Sequence, residues 1–362
     1  MEYFVTGLMS GTSLDGVDLA YCQFKLAGNN WNYEIIRAET LAYPSLWKKE
    51  LTMATTLSAR ALISLHSGYG TYLGNLIHDF HRRHDLAKPH IVASHGHTLF
   101  HQPAGGYTFQ LGHGAFIAAA SQCTVVNDFR SMDVALGGQG APLVPLGDDL
   151  LFPAYTYCLN LGGFANISMP SQKGRLAFDI CPVNFVINRL VRDHKKNTGY
   201  QGPDFDRDGL IARRGKLVEP LLQALNSLDY YAQKGPKSLG EEWVTKHIWP
   251  LLTNHPEPLE DILQTFYRHV ALQVNNGLIS NLQGEMLVTG GGAHNTFLME
   301  CIRETTRGMV QVRLPDQQTI DFKEALIFAF LGLRHIRQET TSLSTVTGAS
   351  ADAVGGSIHY FH

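Results

Sequence analysis

Two carboxylates and three hydroxyls share one glycine-punctuated stretch near the start of the 362-residue chain, Gly7-Leu8-Met9-Ser10-Gly11-Thr12-Ser13-Leu14-Asp15-Gly16-Val17-Asp18. Glycine, serine and threonine in a turn expose backbone N–H groups and hydroxyls that wrap phosphate oxygens. Carboxylates repel phosphate. Asp15 and Asp18 therefore fit such a turn when a hard cation stands between, Mg²⁺ preferring oxygen ligands and commonly reached through water. Gly11, Thr12, Ser13, Leu14, Asp15, Gly16, Val17 and Asp18 read on this basis as one side of a Mg-nucleotide site. The alternative is a plain hairpin with Asp15-Gly16 at its tip.

Other stretches carry related chemistry. Asn160-Leu161-Gly162-Gly163-Phe164-Ala165-Asn166 offers a second turn where backbone can approach an anion closely, or an ordinary hairpin. Gly290-Gly291-Gly292 ends an apolar run and suggests close approach by something flat, such as a nucleoside. Asp179 ends the run Leu176-Ala177-Phe178, where a carboxylate could take a proton from water or a hydroxyl, or cap the helix expected over 182–195. His95 and His97, with His101 and His113, raise zinc ligation against hydrogen bonding in a polar pocket, and no nearby cysteine or carboxylate favours the metal. Arg130 has the planar fork that suits a carboxylate ligand, or pairs with Asp128 or Asp133. Asp204 to Gly209 is acidic without the EF-hand ligand pattern and reads as a helix-starting loop. Lys237 is a phosphate contact or a solvated loop residue.

The elements that must position these groups follow from periodicity. Strands are expected over 3–9, 17–26 and 32–39, with Gly28-Asn29-Asn30 at a turn. Leu62, Leu65, Tyr69, Tyr72, Leu73, Leu76, Ile77 and Phe80 fall at helical spacing. Short strands follow at 90–94, 107–111 and 124–127, with a helix at 113–121. A second series begins near 155, with strands at 157–161, 165–168 and 176–180. A long helix carries Ile262 through Leu282, a strand runs over 285–289, and 323–337 reads as a helix apolar almost all round. The recurrence of strand, Gly-rich turn, strand, strand points to two similar lobes.

Composition narrows the classes. A net charge of -3 with scattered Lys and Arg argues against a nucleic-acid surface. Five widely spaced cysteines without a CxxC pair fit reduced thiols in the cytoplasm. The start has no basic n-region, and Ala325 to Leu331 is far too short for a membrane span.

Taken together, GLMSGTSLDGVD, SHGHT, VVNDFRSMD, GGQGAPLVP, LNLGGFANIS, FDRDG, GPKSLG and VTGGGAHNTFLM stand in the order found in the anhydro-N-acetylmuramic acid kinases, and the chain resembles that family from Gly7 to Ala349. The resemblance implies an α/β, two-lobed actin-like ATPase (ribonuclease H-like) fold with an interlobe cleft. Its lobes are expected at 1–130 and 131–362. It implies conversion of 1,6-anhydro-N-acetylmuramic acid to N-acetylmuramic acid 6-phosphate with ATP, Mg²⁺ and water. Gly11 to Asp18, Gly162 and Gly163 would hold the phosphates, and Gly290, Gly291 and Gly292 the nucleoside. Asp179 matches the catalytic base. Arg130, Thr98, Gln110 and, at the head of the last long helix, Glu324 match the sugar site. A cytoplasmic homodimer is expected by the same resemblance. Two departures bear on the sugar. The family's Asp-x-Gly-Pro-Gly-Asn is Asp179-Ile180-Cys181-Pro182-Val183-Asn184 here, and its His-Gly-Gln-Thr is His95-Gly96-His97-Thr98. A kinase of another sugar, and a nucleotide-switched binding protein on the same fold, are the competing readings.

Overall fold

A computed structural model describes residues 1–11, 14–172, 174–235, 237–253 and 255–362. The chain divides into two units, Met1–Pro153 with Phe322–His362, and Ala154–Asp321.

The first unit is built on strands β1 (Glu2–Ser10), β2 (Gly16–Ala27), β3 (Asn30–Ala42), β4 (Ile91–Gln102), β5 (Tyr107–Leu111) and β6 (Val125–Asn127), joined by a C-terminal strand Ser357–His359. β1, β2 and β3 run antiparallel in sequence, while β1, β4 and β6 are parallel. β5 folds back on β4, and Ser357–His359 lies antiparallel along β6. The central strands are covered on both faces, which is why the middle of β1 and the first half of β4 are buried almost without a break. One cover is the helix Ala59–Arg83, which buries Leu65, Tyr69, Leu73, Ile77 and Phe80 along one stripe. Ser58 caps its start by accepting from Ala61 N at 3.4 Å, and His81, Arg82 and Arg83 suit the negative end of its dipole. The helix Gln317–Ile336 packs so tightly on β1 that a Cβ at Gly7 would collide with the Ala325 carbonyl.

The second unit repeats the scheme with β7 (Tyr157–Leu161), β8 (Phe164–Ser171), β9 (Gly174–Pro182), β10 (Gly284–Thr289) and β11 (Val310–Arg313). The C-terminal strand of the first unit is β12 in chain order. β7, β8 and β9 are antiparallel, and β7, β10 and β11 are parallel. The two sheets therefore share one order, β6-β4-β1-β2-β3 and β11-β10-β7-β8-β9. The lobe repeat expected from the turns is present as a common topology. The core of the second unit gathers Phe266, Val270 and Val274 of the helix Leu259–Asn276 against the sheet.

Four expectations need correction. The boundary falls after Pro153 rather than at 130, because Asp133 accepts from Thr347 Oγ1 (2.7 Å) and Phe152 packs on Tyr33 (5.3 Å between centroids), tying 131–153 to the first unit. The stretch 322–362 also belongs to that unit. β4 continues to Gln102, so His95, His97 and Thr98 lie inside a strand, not at its end. The helix at 259 stops at Gly277, leaving Leu278 and Leu282 beyond it, and the last long helix starts at Gln317, so Glu324 sits two turns in.

Candidate active site

In the first unit the turn between β1 and β2 contains Gly11, Leu14 and Asp15; Thr12 and Ser13 lie outside the described residues. Leu14 has φ +56°, a left-handed conformation of the kind a tight phosphate-binding turn uses. Gly16 is glycine because the Leu41 carbonyl of β3 lies 2.6 Å from where a Cβ would stand. Val17 gives its side chain to the core, so only its backbone can serve a ligand. Asp15 is exposed. Asp18 is half-buried, and its Oδ1 accepts from Thr40 Oγ1 at 2.6 Å.

Asp18 belongs to a charged group with Glu324 and Arg130. Burial raises the Glu324 carboxyl above its ordinary value; Lys323 opposes this, Asp18 adds to it, and Arg130 and Asp148 pull in opposite directions. Beside them, Lys323 Nζ donates to Asp148 Oδ1 at 2.9 Å with both side chains almost fully enclosed, a pair that no local sequence pattern announces. Arg130 donates through Nε and Nη2 to His95 Nε2 (3.0 and 2.8 Å) and through Nη1 to the Gly140 carbonyl. His95 Nδ1 lies 2.9 Å from the Gly96 carbonyl, so its N–H sits there and Nε2 is the acceptor. Burial, reinforced by the Arg130 charge, keeps this imidazole neutral. Burial also pulls Arg130 down to about 10, with Glu324 and Asp133 opposing, and the guanidinium stays charged near neutrality. Neither aspartate of the structural alternative bonds to it directly: Asp128 accepts from Ser131 Oγ (2.6 Å), and Asp133 from Gly140 N (2.7 Å).

Thr98 and Gln110 are partners across β4 and β5, hence on one face of that hairpin. Gln110 Nε2 donates to Thr108 Oγ1 at 2.8 Å, while its buried Oε1 finds no partner among the described residues. That amide, His95, Asn127, Asp128 and His113 line a cavity of about 250 Å³; Thr98, Arg130 and Glu324 do not line it. The histidines of the zinc alternative hydrogen-bond instead: His97 Nδ1 to Ser10 Oγ (3.2 Å), His101 Nδ1 to Thr108 Oγ1 (3.1 Å), and His113 Nδ1 from Ala115 N (3.2 Å). Among the described residues no group of three or more metal-binding side chains can hold an ion.

In the second unit two glycine turns adjoin. A Cβ at Gly290 (φ +83°) would strike Asn160 Oδ1 and the Leu161 carbonyl, and one at Gly292 would strike Leu161. These two are glycines for packing. Gly163 and Gly291 are exposed, and a Cβ there would meet only a single atom at 3.8 Å, which leaves room for a ligand. Gly162 and Gly163 also accept from the backbone of 183–185, fixing the turn to the start of the helix Asn184–Thr198.

Asp179 lies near the end of β9, opposite Asn166 of β8, where the register slips by one residue at Ile180. Such a bulge re-aims the adjoining side chain. Asp179 Oδ2 accepts from Leu239 N at 2.9 Å, and among the described residues none donates to Oδ1. Its backbone is held as well: N donates to the Lys237 carbonyl (3.0 Å), and O accepts from Tyr230 OH (2.6 Å). Burial raises the carboxyl to about 6, against the lowering effect of the Leu239 N–H. The helix-cap alternative fails, because Val183 occupies the cap position and no side chain caps that helix. Asp206 accepts from Ile211 N and Ala212 N (2.8 and 3.1 Å) and so braces a loop of two short 3-10 turns, Arg207–Gly209 and Ala212–Arg214, rather than capping a helix.

Comparison with known proteins bears directly on these turns. The anhydro-N-acetylmuramic acid kinase family model matches residues 2–361. The chain belongs to that family. It is 33% identical to the anhydro-N-acetylmuramic acid kinase of Pseudomonas savastanoi pv. phaseolicola, covering 99% of this chain and 100% of that protein. Identity to the same enzyme of Francisella tularensis subsp. novicida is 32%, with 99% and 100% covered. Among solved structures, the (R)-2-hydroxyglutaryl-CoA dehydratase component A of Acidaminococcus fermentans aligns with TM-score 0.47 and 12% identity over 92% of this chain and 98% of that one.

The fold that carries this family membership is α/β, with a mixed sheet in each unit and one strand order common to both. No helix among the described residues is long and apolar enough to cross a membrane. The two departures from the family motifs can now be placed. Cys181 and Val183 are fully buried in the core of the second unit, so the side chains that replace glycines point away from the exposed Gly163. His97 is buried and turned to Ser10, within a hydroxyl cluster where Ser10 Oγ lies 2.6 Å from Tyr43 OH and 3.1 Å from Tyr69 OH.

Proposed function

We propose that Asp179 is the general base of a ring-opening phosphoryl transfer, with Arg130, Thr98, Gln110 and Glu324 holding the sugar. The chain is an ATP-dependent kinase that acts on 1,6-anhydro-N-acetylmuramic acid and yields N-acetylmuramic acid 6-phosphate, a reaction of peptidoglycan recycling. On our reading Asp179 Oδ1 takes a proton from water as the water oxygen bonds to the anomeric carbon. The bond from that carbon to O6 breaks. O6 then bonds to the γ-phosphorus, the bond to the β–γ bridging oxygen breaks, and ADP leaves. The proton on Asp179 passes to solvent.

The observation that carries this reading is the Asp179 carboxylate, anchored by one oxygen, open at the other and raised to about 6. A base works best when its pKa lies near the working pH, and such a base contributes about 10²–10⁴ in rate. The Arg130 fork, with its neutral imidazole partner, suits the lactyl carboxylate of the sugar.

Gly163 and Gly291 have the open backbone that a triphosphate and a nucleoside require, and Gly11 to Asp18 are the phosphate-binding stretch of the first unit on this reading. Asp15 and Asp18 are oxygen donors that fit Mg²⁺, which would neutralise charge on the transferring phosphoryl group.

The test is ADP formation with and without 1,6-anhydro-N-acetylmuramic acid. Sugar-dependent ADP release with one sugar phosphate per ADP is expected. Equal ADP release without sugar would favour the nucleotide-switch reading, and dependence on a different sugar would move the substrate.

A further inference from the structure

The segment after Pro236 approaches the Asp179 carboxylate, and nothing in the reaction as described uses its lysine. Three hydrogen bonds close a ring of Lys237, Tyr230 and Asp179, and a fourth runs from Leu239 to Asp179. Lys237 Nζ donates to the Tyr230 carbonyl at 2.9 Å and stands 4.2 Å from the centroid of the Tyr230 ring. The Tyr230 hydroxyl donates to the Asp179 carbonyl at 2.6 Å. Asp179 N donates to the Lys237 carbonyl at 3.0 Å. Two residues on, Leu239 N reaches Asp179 Oδ2 at 2.9 Å. A backbone N–H can be aimed at a carboxylate only if its segment is held, and the side chain of Lys237 is what ties this segment to Tyr230.

We infer that Lys237 is a positioning residue for the base: its clamp on Tyr230 keeps the Leu239 N–H on one oxygen of Asp179 and leaves the other oxygen for water. The inference rests on the reading of Asp179 as the base. It gives Lys237 a role other than the phosphate contact, with its ammonium on a carbonyl and over a ring face. The charged and titratable groups facing Asp179 are few. Tyr230 and Cys181 are both held neutral by burial, and each is raised further by the Asp179 charge. Burial lowers Lys237, whereas the influences resolved on Asp179 are burial and the Leu239 N–H. Lys237 thus reaches the carboxylate through the backbone it holds, by the Lys237 carbonyl on Asp179 N and the Leu239 N–H on Oδ2.

Lys237→Met separates these roles. Loss of the clamp frees the Leu239 N–H, and a carboxylate that loses a donor becomes easier to protonate. The acid limb of kcat/KM for the sugar should move upward by about one pH unit, so the rate at pH 6 falls several-fold while that at pH 8.5 approaches wild type. KM for ATP should hold, and Lys237→Arg should restore the limb, because a guanidinium can also donate to the carbonyl and cover the ring. If Lys237→Met does not fold, Tyr230→Phe opens the same ring at the Asp179 carbonyl and should shift the limb in the same direction. An unmoved limb, an equal loss at every pH, or a rise in KM for ATP would overturn the inference. A wild-type profile with no acid limb near pH 6 would instead overturn the reading of Asp179 itself.

Discussion

The third residue of the second strand is polar in both units, and in both it faces a polar residue of the third strand. In the first unit the pair is Asp18 and Thr40; in the second it is Asn166 and Asp179. The carboxylate has changed strands. Asp18 accepts a hydroxyl hydrogen bond from Thr40 and lies three residues from the exposed Asp15, oxygen donors of the kind a hard cation takes. Asp179 sits at a bulge and is raised by burial to about 6, surroundings that suit a base. One topology thus offers two corresponding positions, and on the reading proposed above burial and local donors set them apart.

Three changes would break that contrast or sharpen it. Asp18→Asn should lower kcat/KM for MgATP by about a hundredfold, the upper scale for losing a carboxylate that orients a metal, and it should leave the acid limb in place. Loss of the limb in that variant would erase the distinction between the two aspartates. Arg130→Ala should raise KM for the sugar about thirtyfold, the ~2 kcal/mol of a charge-assisted pair, with KM for ATP little changed. Parallel loss of both substrates, with a fall in melting temperature, would make Arg130 a structural residue held by His95 and Gly140. The smallest effect belongs to Lys237→Met, whose several-fold loss is confined to acidic pH and which probes only how the second carboxylate is held.

Much of this was legible in the sequence where chemistry and periodicity coincide. The glycine turns, the three-strand series and the apolar stripe of Ala59–Arg83 all depend on local patterns. The division between the units was not, because the ties that carry 131–153 into the first unit run to Thr347 and Tyr33, far away in sequence. The surroundings of Asp179 were hidden for the same reason. Tyr230 and Leu239 lie 51 and 60 residues further on, and a backbone N–H leaves no residue-type signal. His95 stood in a conspicuous cluster, but its role as acceptor for Arg130 depends on a pairing 35 residues apart. Cys181 and Val183 stand out in sequence as departures that bear on the sugar, whereas in the structure both are buried in the core of the second unit.

Asp179→Asn is the most direct measurement, made as sugar-dependent turnover together with melting temperature across pH. The isosteric amide cannot accept the proton, so turnover should fall about a thousandfold or more with ATP affinity retained. A carboxylate raised in the folded state contributes stability that is full below its unfolded value and is lost as pH rises through about 6. The variant should therefore match the wild-type melting temperature near pH 4 and exceed it at pH 8. Turnover within tenfold of wild type, in a variant of normal fold, would contradict the assignment of Asp179 as the group that deprotonates water.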